Sequence, residues 1–442
     1  MKKKRTWLKR LAVIASMCAS AVLAAMVVTY VLADGQTSLP PKHPTPAADG
    51  RKKPKTHSSR GKYTLLQQQL VTSQYYAGSL VTTPLPADVD RHRAINSDAI
   101  ISNVYFPGAH LNVTALYDLP TSGTAASQMA FYYSDASDPI YKVLPSACTY
   151  APSDSKYNPV GKYFHLTSQA LPSSTNGDSF MLLWDQSSDI DKTPGGRILS
   201  FYNPHTSLPN CSCSTKPCAD VTPACQISSS LGSGWGRYCE IGFPNQTVVH
   251  GNDKSSGGYG SLHFQAGAGF LRDSEIISGT VNHALILNTY CVSPPAVVFP
   301  ATGYGANLCS NAKPTPPDLN NHPHVGSLIY IDSGYSCDSL PHWQRGICHA
   351  MQTYGGYVSD TGGYDGIFGI VRAEGGMGYS VAGLPWPFLD YIKRQSGNGL
   401  QLRGSPVNGA NLPFFNMPGV QSHLHVADPC IAKRMARVSG GC

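Results

Sequence analysis

The chain has 442 residues, of which 41% are hydrophobic and only 13% are charged, so it can bury a large core. Its net charge of +7 is concentrated at the start. Residues 1–62 hold thirteen Lys/Arg and two Asp, which leaves 20 basic and 24 acidic groups for the other 380 residues. This mildly acidic remainder argues against nucleic-acid binding through a basic face.

A hydrophobic segment follows a basic start. Six Lys/Arg precede residue 11, and residues 11–33 form an uncharged apolar run of 23 residues, long enough to cross a hydrocarbon core of about 30 Å. We predict that residues 1–33 are a signal anchor in the cell membrane, a single pass with the C-terminal part outside. In the alternative, cleavage near Ala33 makes them a signal peptide and the protein is secreted.

Residues 34–62 are rich in Pro, Lys and small polar residues and have almost no large apolar side chain. They cannot bury enough surface to fold, so we predict a basic Pro-rich linker. It serves either as a spacer or as a segment attracted to anionic lipid or wall polymers. Residues 63–442 contain no second linker and no repeat, which predicts one extracellular domain.

Twelve cysteines lie beyond the apolar run, and one more, Cys18, lies inside it. In an oxidising compartment an even number predicts up to six disulfides, whose pairing the sequence does not give. A group at Cys211, Cys213, Cys218 and Cys225 could be drawn as a zinc site, but it lacks the paired C-x2-C spacing. We therefore predict a disulfide-stapled loop, with no metal and no cofactor.

Short apolar stretches bounded by Gly, Pro, Asn or Ser recur along the domain, and their Val, Ile, Tyr and Phe content is typical of strands. The predicted strands are residues 99–106, 111–116, 128–133, 140–144, 179–185, 197–202, 238–243, 281–290 and 327–331. Many short strands with long connections indicate a mainly β fold. We predict a single large jelly-roll or β-sandwich domain with long, disulfide-stapled loops.

One prominent helix is predicted over residues 339–354. Leu340, Trp343, Ile347 and Met351 recur at spacings of three or four residues, which places them in one apolar stripe. A Gly pair ends the helix, and a strand leading into a glycine-rich turn follows. The stripe should pack on the outside of a sheet.

Ionisable residues gather before and within the predicted strand 281–290. His283 would share a strand face with aliphatic neighbours, which is typical of a core histidine. A His that lines a sheet concavity can instead transfer a proton near neutral pH. The candidate catalytic residues are Glu275, His283 and Asp360, and the candidate substrate contacts are Arg272, Tyr357 and Asp185.

Several carboxylates end predicted strands, among them Asp185 and Asp332, while Asp360 follows in a glycine-rich turn. Carboxylates in such places commonly accept backbone N–H groups of turns. Two that converge about 5–10 Å apart in a cleft would satisfy the geometry of glycoside cleavage. The sequence leaves both interpretations open.

Four short segments occur in a fixed order: Ser137-Asp138-Pro139-Ile140-Tyr141, the strand 180–185, Glu275 with His283-Ala284-Leu285, and residues 354–360. In this order they resemble a group of exported bacterial β-sandwich proteins for which no activity is known. The match extends over about residues 130–375. The resemblance implies a shared fold and supplies no activity.

The predicted location outside the cell and the composition together lead to a prediction of function. The sequence lacks a Gly-x-Ser-x-Gly elbow, a His-Glu-x-x-His motif, a phosphate loop and a dinucleotide fingerprint, so those enzyme classes have no support. We expect an extracellular glycan-active protein, a polysaccharide hydrolase or lyase, with extracellular or cell-wall polysaccharide as its partner. The alternative is a non-catalytic surface domain that binds glycan or an envelope protein.

Overall fold

In the computed structural model the chain divides into two compact units, Met1–Thr56 and His57–Cys442. The predicted anchor, the linker and the cysteine group at 211–225 lie outside the described residues. None of the helices in the described part is long and apolar enough to cross a membrane. The structure describes residues 79–104, 110–116, 129–143, 155–166, 170, 180–187, 189–190, 196–202, 226–227, 239–242, 268–293, 297–301, 309, 320–361, 367–372, 387, 391, 394, 409–413 and 419–438.

The described part of the chain is mainly β, as the sequence predicts, with fourteen strands and four α-helices. The helices are α1 (Ser97–Val104), α2 (Asp273–Ser278), α3 (His342–Thr353) and α4 (Pro429–Met435). The strands are β1 (His110–Leu116), β2 (Met129–Ser134), β3 (Ile140–Val143), β4 (Tyr163–His165), β5 (Phe180–Asp185), β6 (Arg197–Tyr202), β7 (Gln226–Ile227), β8 (Cys239–Gly242), β9 (Leu285–Thr289), β10 (Leu328–Ile331), β11 (Gly356–Thr361), β12 (Ile367–Arg372), β13 (Gly409–Pro413) and β14 (Leu424–Val426).

The strands form three sheets. The large sheet has the order β13-β1-β12-β9-β11-β10-β14, a four-stranded sheet has the order β2-β5-β6-β8, and a three-stranded sheet has the order β4-β3-β7. Each sheet contains parallel pairing: β1 with β12 and β9 with β11 in the large sheet, β2 with β5, and β3 with β7. The remaining pairs are antiparallel.

The centre of the large sheet is covered on both faces, because every residue of β9 is buried. Helix α3 packs against this region through Trp343, Ile347 and Met351, which are all buried. A Cβ on Gly356 would lie 2.7 Å from a methyl carbon of Leu287 and 3.2 Å from the Met351 sulfur. Glycine at the start of β11 therefore lets the helix lie close to the strands. The predicted helix and its buried stripe are confirmed.

Two predicted strands differ from the structure. Residues 99–106 fall largely in helix α1, whose Ile100, Ile101 and Val104 are buried. Their spacing of one and three residues places them on one helical face, although their β-branched composition favours a strand. The predicted strand 281–290 begins only at Leu285. His283 therefore lies in the bend before β9 and does not share a strand face with its neighbours.

Disulfides join Cys291 to Cys309 and Cys337 to Cys348, and Cys430 is also disulfide-bonded. The second bond ties the short 3-10 turn Cys337–Ser339 to helix α3. Disulfide stapling of loops is thus confirmed for these two pairs.

Candidate functional site

Three of the predicted site residues meet beside helix α2. The carboxylate of Glu275 accepts the backbone N–H of Arg272 at 2.8 Å and the His283 Nε2–H at 3.1 Å. The other ring nitrogen of His283, Nδ1, donates to the carbonyl of Ala284 at 2.8 Å. Glu275 therefore closes the start of α2 and fixes the imidazole at the same time.

Both ring nitrogens of His283 face acceptors, which favours the doubly protonated imidazole. Burial by itself would lower the pKa of His283, but the charge and hydrogen bond of Glu275 raise it above the usual value. Burial would likewise raise the pKa of Glu275, yet His283 and then Arg272 hold it below its usual value. The two residues form a buried ion pair with no ring nitrogen available to a substrate.

Arg272 extends this cluster into the interior of the protein. Its side chain donates from Nη1 to the Phe270 carbonyl at 3.3 Å, and its guanidinium lies 5.1 Å from the ring centre of Phe131 on β2. Arg272 is only 3% exposed. It links α2 to the four-stranded sheet and does not present its charge at the surface.

Asp360 lies at the opposite end of the same strands. On β11 it is paired with Asn288, whereas Gly356 is paired with Leu285, two residues after His283. At about 3.3 Å per residue, Asp360 is roughly 10 Å beyond Leu285 along the strand direction, and His283 lies before Leu285 in the preceding bend. Its Oδ1 accepts the N–H of Thr361 at 2.7 Å. The structure does not bring Asp360 to Glu275 and His283, so the three do not form one acid–base site.

Tyr357 is completely buried in the core at the start of β11. Burial raises the pKa of its hydroxyl. The ring therefore contributes packing between the large sheet and its neighbours, and it has no exposed face on which a sugar could stack.

Asp185 ends β5 and is also fully buried. Its carboxylate accepts the backbone N–H groups of His165 at 2.9 Å and Ser187 at 3.0 Å, and Arg197 lies 3.4 Å away. The Ser187 hydroxyl lies 2.7 Å from this carboxylate and 2.6 Å from Nδ1 of His165. Asp185 therefore ties β4, β5 and β6 together, which is the turn-binding role of a strand-end carboxylate.

A further site, which the sequence analysis missed, surrounds Asp332 at the end of β10. Asp332 Oδ1 accepts Nδ1–H of His423 at 2.8 Å, and Oδ2 accepts Nε2–H of His425 at 2.8 Å. The N–H of Gly334 also donates to Oδ1 at 2.8 Å. We call Asp332, His423 and His425 the Asp332 cluster.

Strand pairing explains the assembly of the Asp332 cluster. Strand β14 runs antiparallel to β10, with Ile331 opposite Leu424, and the N–H of Asp332 donates to the carbonyl of His423 at 2.9 Å. His423 ends the 3-10 turn Val420–His423 and His425 lies within β14, and both imidazoles reach the carboxylate of Asp332. The His-x-His spacing is the signal in the sequence, but its partner Asp332 lies about ninety residues away.

The Asp332 cluster reaches the surface through His423. The side-chain exposure is 32% for His423, 16% for Asp332 and 4% for His425. Burial by itself would raise the pKa of Asp332, but hydrogen bonds from His425, His423 and Gly334 hold it below the usual value. Asp332 is therefore a stable carboxylate. Among the described residues, no hydrogen-bond partner faces Nε2 of His423, so this nitrogen is available for proton transfer.

The turn that carries Asp332 is held by helix α3. The side-chain amide of Gln352 donates to the carbonyls of Asp332 at 3.0 Å and Tyr335 at 2.8 Å. The disulfide between Cys337 and Cys348 ties the following residues to the same helix. These contacts place the half-buried ring of Tyr335 with its centre 5.5 Å from that of His423.

Charged side chains of residues 90–93 border the Asp332 cluster. The Arg93 guanidinium lies 3.4 Å from Oδ1 of Asp90 and 3.9 Å from Oδ2 of Asp332, and the Tyr330 hydroxyl donates to Asp90 at 3.0 Å. The part of the chain that the structure describes contains no group of three or more His, Cys, Asp or Glu suited to a metal ion.

The comparisons with known proteins supply no assignment. No protein family matches this chain, and neither a curated protein nor a solved structure matches it. The resemblance to exported bacterial proteins therefore stays a prediction, and a functional proposal has to start from the geometry of the site.

Proposed function

We propose that the protein is an extracellular glycan-active enzyme, a polysaccharide hydrolase or lyase, in which His423 transfers the proton and Asp332 orients and stabilises its imidazole. The observation that carries this proposal is the partly exposed pair in which Nδ1–H of His423 donates to Asp332 at 2.8 Å. A carboxylate on one ring nitrogen fixes the tautomer and leaves the other nitrogen as the base. Such proton transfer contributes about 10²–10⁴-fold to a rate.

In this proposal the residues Glu275, His283 and Arg272 stabilise the fold and take no part in the chemical step. Their charges satisfy one another inside the protein, and Asp360 lies at the far end of the strands. The predicted contacts Tyr357 and Asp185 are buried. We therefore assign the proposed catalytic function to Asp332 and His423.

The proposed address is the outside of the cell, either tethered by residues 1–33 or secreted after cleavage near Ala33. The disulfides among the described residues support an oxidising location. We further propose that the sheets belong to one β-sandwich or jelly-roll domain over residues 63–442. One buried apolar cluster that contains residues of the large sheet and of β2, β5 and β6 supports this, while the parallel pairs depart from the antiparallel order of a jelly roll.

A non-catalytic glycan-binding domain is the second candidate. The half-buried aromatic ring of Tyr335 beside His423 favours it, because aromatic faces contact sugar rings without any chemical step. Binding of an envelope protein belongs to the same alternative.

The test is to incubate the full-length chain with a panel of wall and capsule polysaccharides and to measure new reducing ends. We expect product from one polymer and a loss of about 10²–10⁴-fold in His423→Gln. The matched control is His349→Gln, since His349 on α3 also donates to a carboxylate, that of the exposed Asp338 at 3.2 Å. This control should retain full activity.

Two results would contradict this proposal, the first its assignment of His423 and the second its assignment as an enzyme. Product formation that survives His423→Gln unchanged would place the chemistry at another site. If no polymer is cut while one is retained by the protein, the binding alternative replaces the proposal.

A further inference from the structure

Among the Asp, Glu, Lys and Arg side chains that contact one another at the Asp332 cluster, carboxylates outnumber guanidinium groups. Asp90 and Asp332 contribute two carboxylates, and Arg93 contributes one guanidinium that lies within 4 Å of both. His423 and His425 each use one ring N–H to hold the Asp332 carboxylate.

This charge balance disfavours an anionic ligand. A carboxylate on the incoming sugar would meet two carboxylates and a guanidinium that already serves both of them. Sugar hydroxyls suit the same groups better, because Asp90 accepts hydrogen bonds and Arg93 donates them. Arg93 and Asp90 have 37% and 42% of their side-chain surface exposed, so both can reach a ligand.

Tyr335 adds an apolar surface at the same place. Its ring packs partly against the core and stands edge-on to His423. Since Gln352 fixes the backbone at both ends of residues 332–335, the ring is positioned before any ligand arrives. An aromatic ring held in this way can stack on the C–H face of a pyranose.

We infer, on the basis of the proposed function, that the Asp332 cluster takes a neutral hexose and not a uronic acid, with Tyr335 as its stacking surface and Asp90 and Arg93 as hydroxyl partners. The reaction is then hydrolysis. The glycosidic C–O bond breaks, water adds its hydroxyl to the anomeric carbon, and a proton passes to the leaving sugar oxygen. Elimination would need a uronate carboxylate beside the C–H bond that breaks, and the site repels that group.

The experiment measures binding by isothermal titration calorimetry with the full-length chain carrying His423→Gln, so that no probe is consumed. The probes are maltohexaose and cellohexaose, each with its counterpart oxidised at C6 to the carboxylate. We expect one neutral probe to bind at least about tenfold more tightly than its oxidised counterpart. Asp90→Asn should reduce the ratio of the two dissociation constants, because it removes one of the two negative charges that repel the oxidised probe.

Variants of Tyr335 test the stacking surface. Tyr335→Ala should weaken binding of the neutral probe about tenfold, while Tyr335→Phe should leave it unchanged. The matched control is Tyr157→Ala, since Tyr157 is also half-buried but lies between β3 and β4 of the three-stranded sheet. Equal or tighter binding of the oxidised probe, no binding of either probe, or full binding by Tyr335→Ala would each overturn the inference.

Cleavage assays separate this inference from the proposed function. If polysaccharide is cut in a manner that depends on His423 but the product absorbs ultraviolet light through an unsaturated sugar end, the proposed function stands and the neutral-sugar inference fails. If the neutral preference holds and nothing is cut, the preference for a neutral sugar stands, while hydrolysis and the enzyme assignment fail.

Discussion

Two carboxylate–imidazole pairs in this protein use the same chemistry in opposite settings. The pair of Glu275 and His283 has side-chain exposures of 9% and 12%, and both imidazole nitrogens donate to acceptors. The pair of Asp332 and His423 has exposures of 16% and 32%. In the second pair one ring nitrogen is held by the carboxylate, and the other is left open towards solvent.

The difference shows that a charge pair is not by itself a catalytic site. A buried pair whose donors are all used stabilises the fold, because each charge compensates the desolvation of the other. A general base needs in addition a free nitrogen and a path to the substrate. The comparison therefore predicts that changes at the first pair alter stability and that changes at the second alter activity.

The largest expected effect on stability comes from Glu275→Leu. The substitution leaves His283 buried without its carboxylate and the Arg272 N–H without its acceptor, so we expect a loss of about 3–5 kcal/mol in the free energy of unfolding. Urea denaturation measures it. Glu275→Gln is the control, because its amide oxygen still accepts a hydrogen bond, and it should lose about 1–2 kcal/mol. A loss under about 1 kcal/mol for Glu275→Leu would break the comparison.

The pH dependence of stability tests whether Glu275 and His283 form a charged pair that stabilises the fold. The raised pKa of His283 gives stability that is fully present below the unfolded pKa and is lost as the pH rises through the folded pKa. The lowered pKa of Glu275 gives stability that is present above its unfolded pKa and is lost as the pH falls through the folded pKa. The pair should therefore stabilise most between about pH 4.5 and 6.5.

This dependence is measured as the difference in unfolding free energy between the natural protein and Glu275→Gln across the pH range. The difference should be greatest in the mildly acidic window and shrink on both sides of it. A difference that grows from neutral to alkaline pH would show that His283 is not the cation of the pair.

The smallest effect is expected for Asp360→Asn. The amide oxygen can still accept the N–H of Thr361, so unfolding free energy should change by no more than about 0.5 kcal/mol. Cleavage activity should be unchanged, because the antiparallel pairing of β10 with β11 places Asp360 about seven residues, roughly 23 Å, from Asp332 along the strands. A tenfold loss of activity in a normally folded Asp360→Asn variant would show that Asp360 takes part in catalysis.

Local patterns in the sequence predict those parts of the molecule that are formed by residues close together in the sequence. The stripe of α3 and most strands follow from periodicity and turn residues, and the contact of Glu275 with His283 spans only eight positions. Helix α1 was missed because Ile100 and Ile101 favour strands by composition. The Asp332 cluster could not be predicted, since it forms only when β10 pairs with β14, and no local rule selects that partner.

The segment that places Arg93 beside the Asp332 cluster also covers an edge of the large sheet. Strand β14 is the last strand of that sheet, and residues 92–94 run beside it. The N–H of Ala94 donates to the Val426 carbonyl and the N–H of Asp428 to the His92 carbonyl, each at 2.8 Å. An uncovered strand edge recruits strands of other molecules and leads to aggregation. This segment thus protects the edge of the sheet from self-association, and the sugar that we propose for the Asp332 cluster has to bind without displacing it.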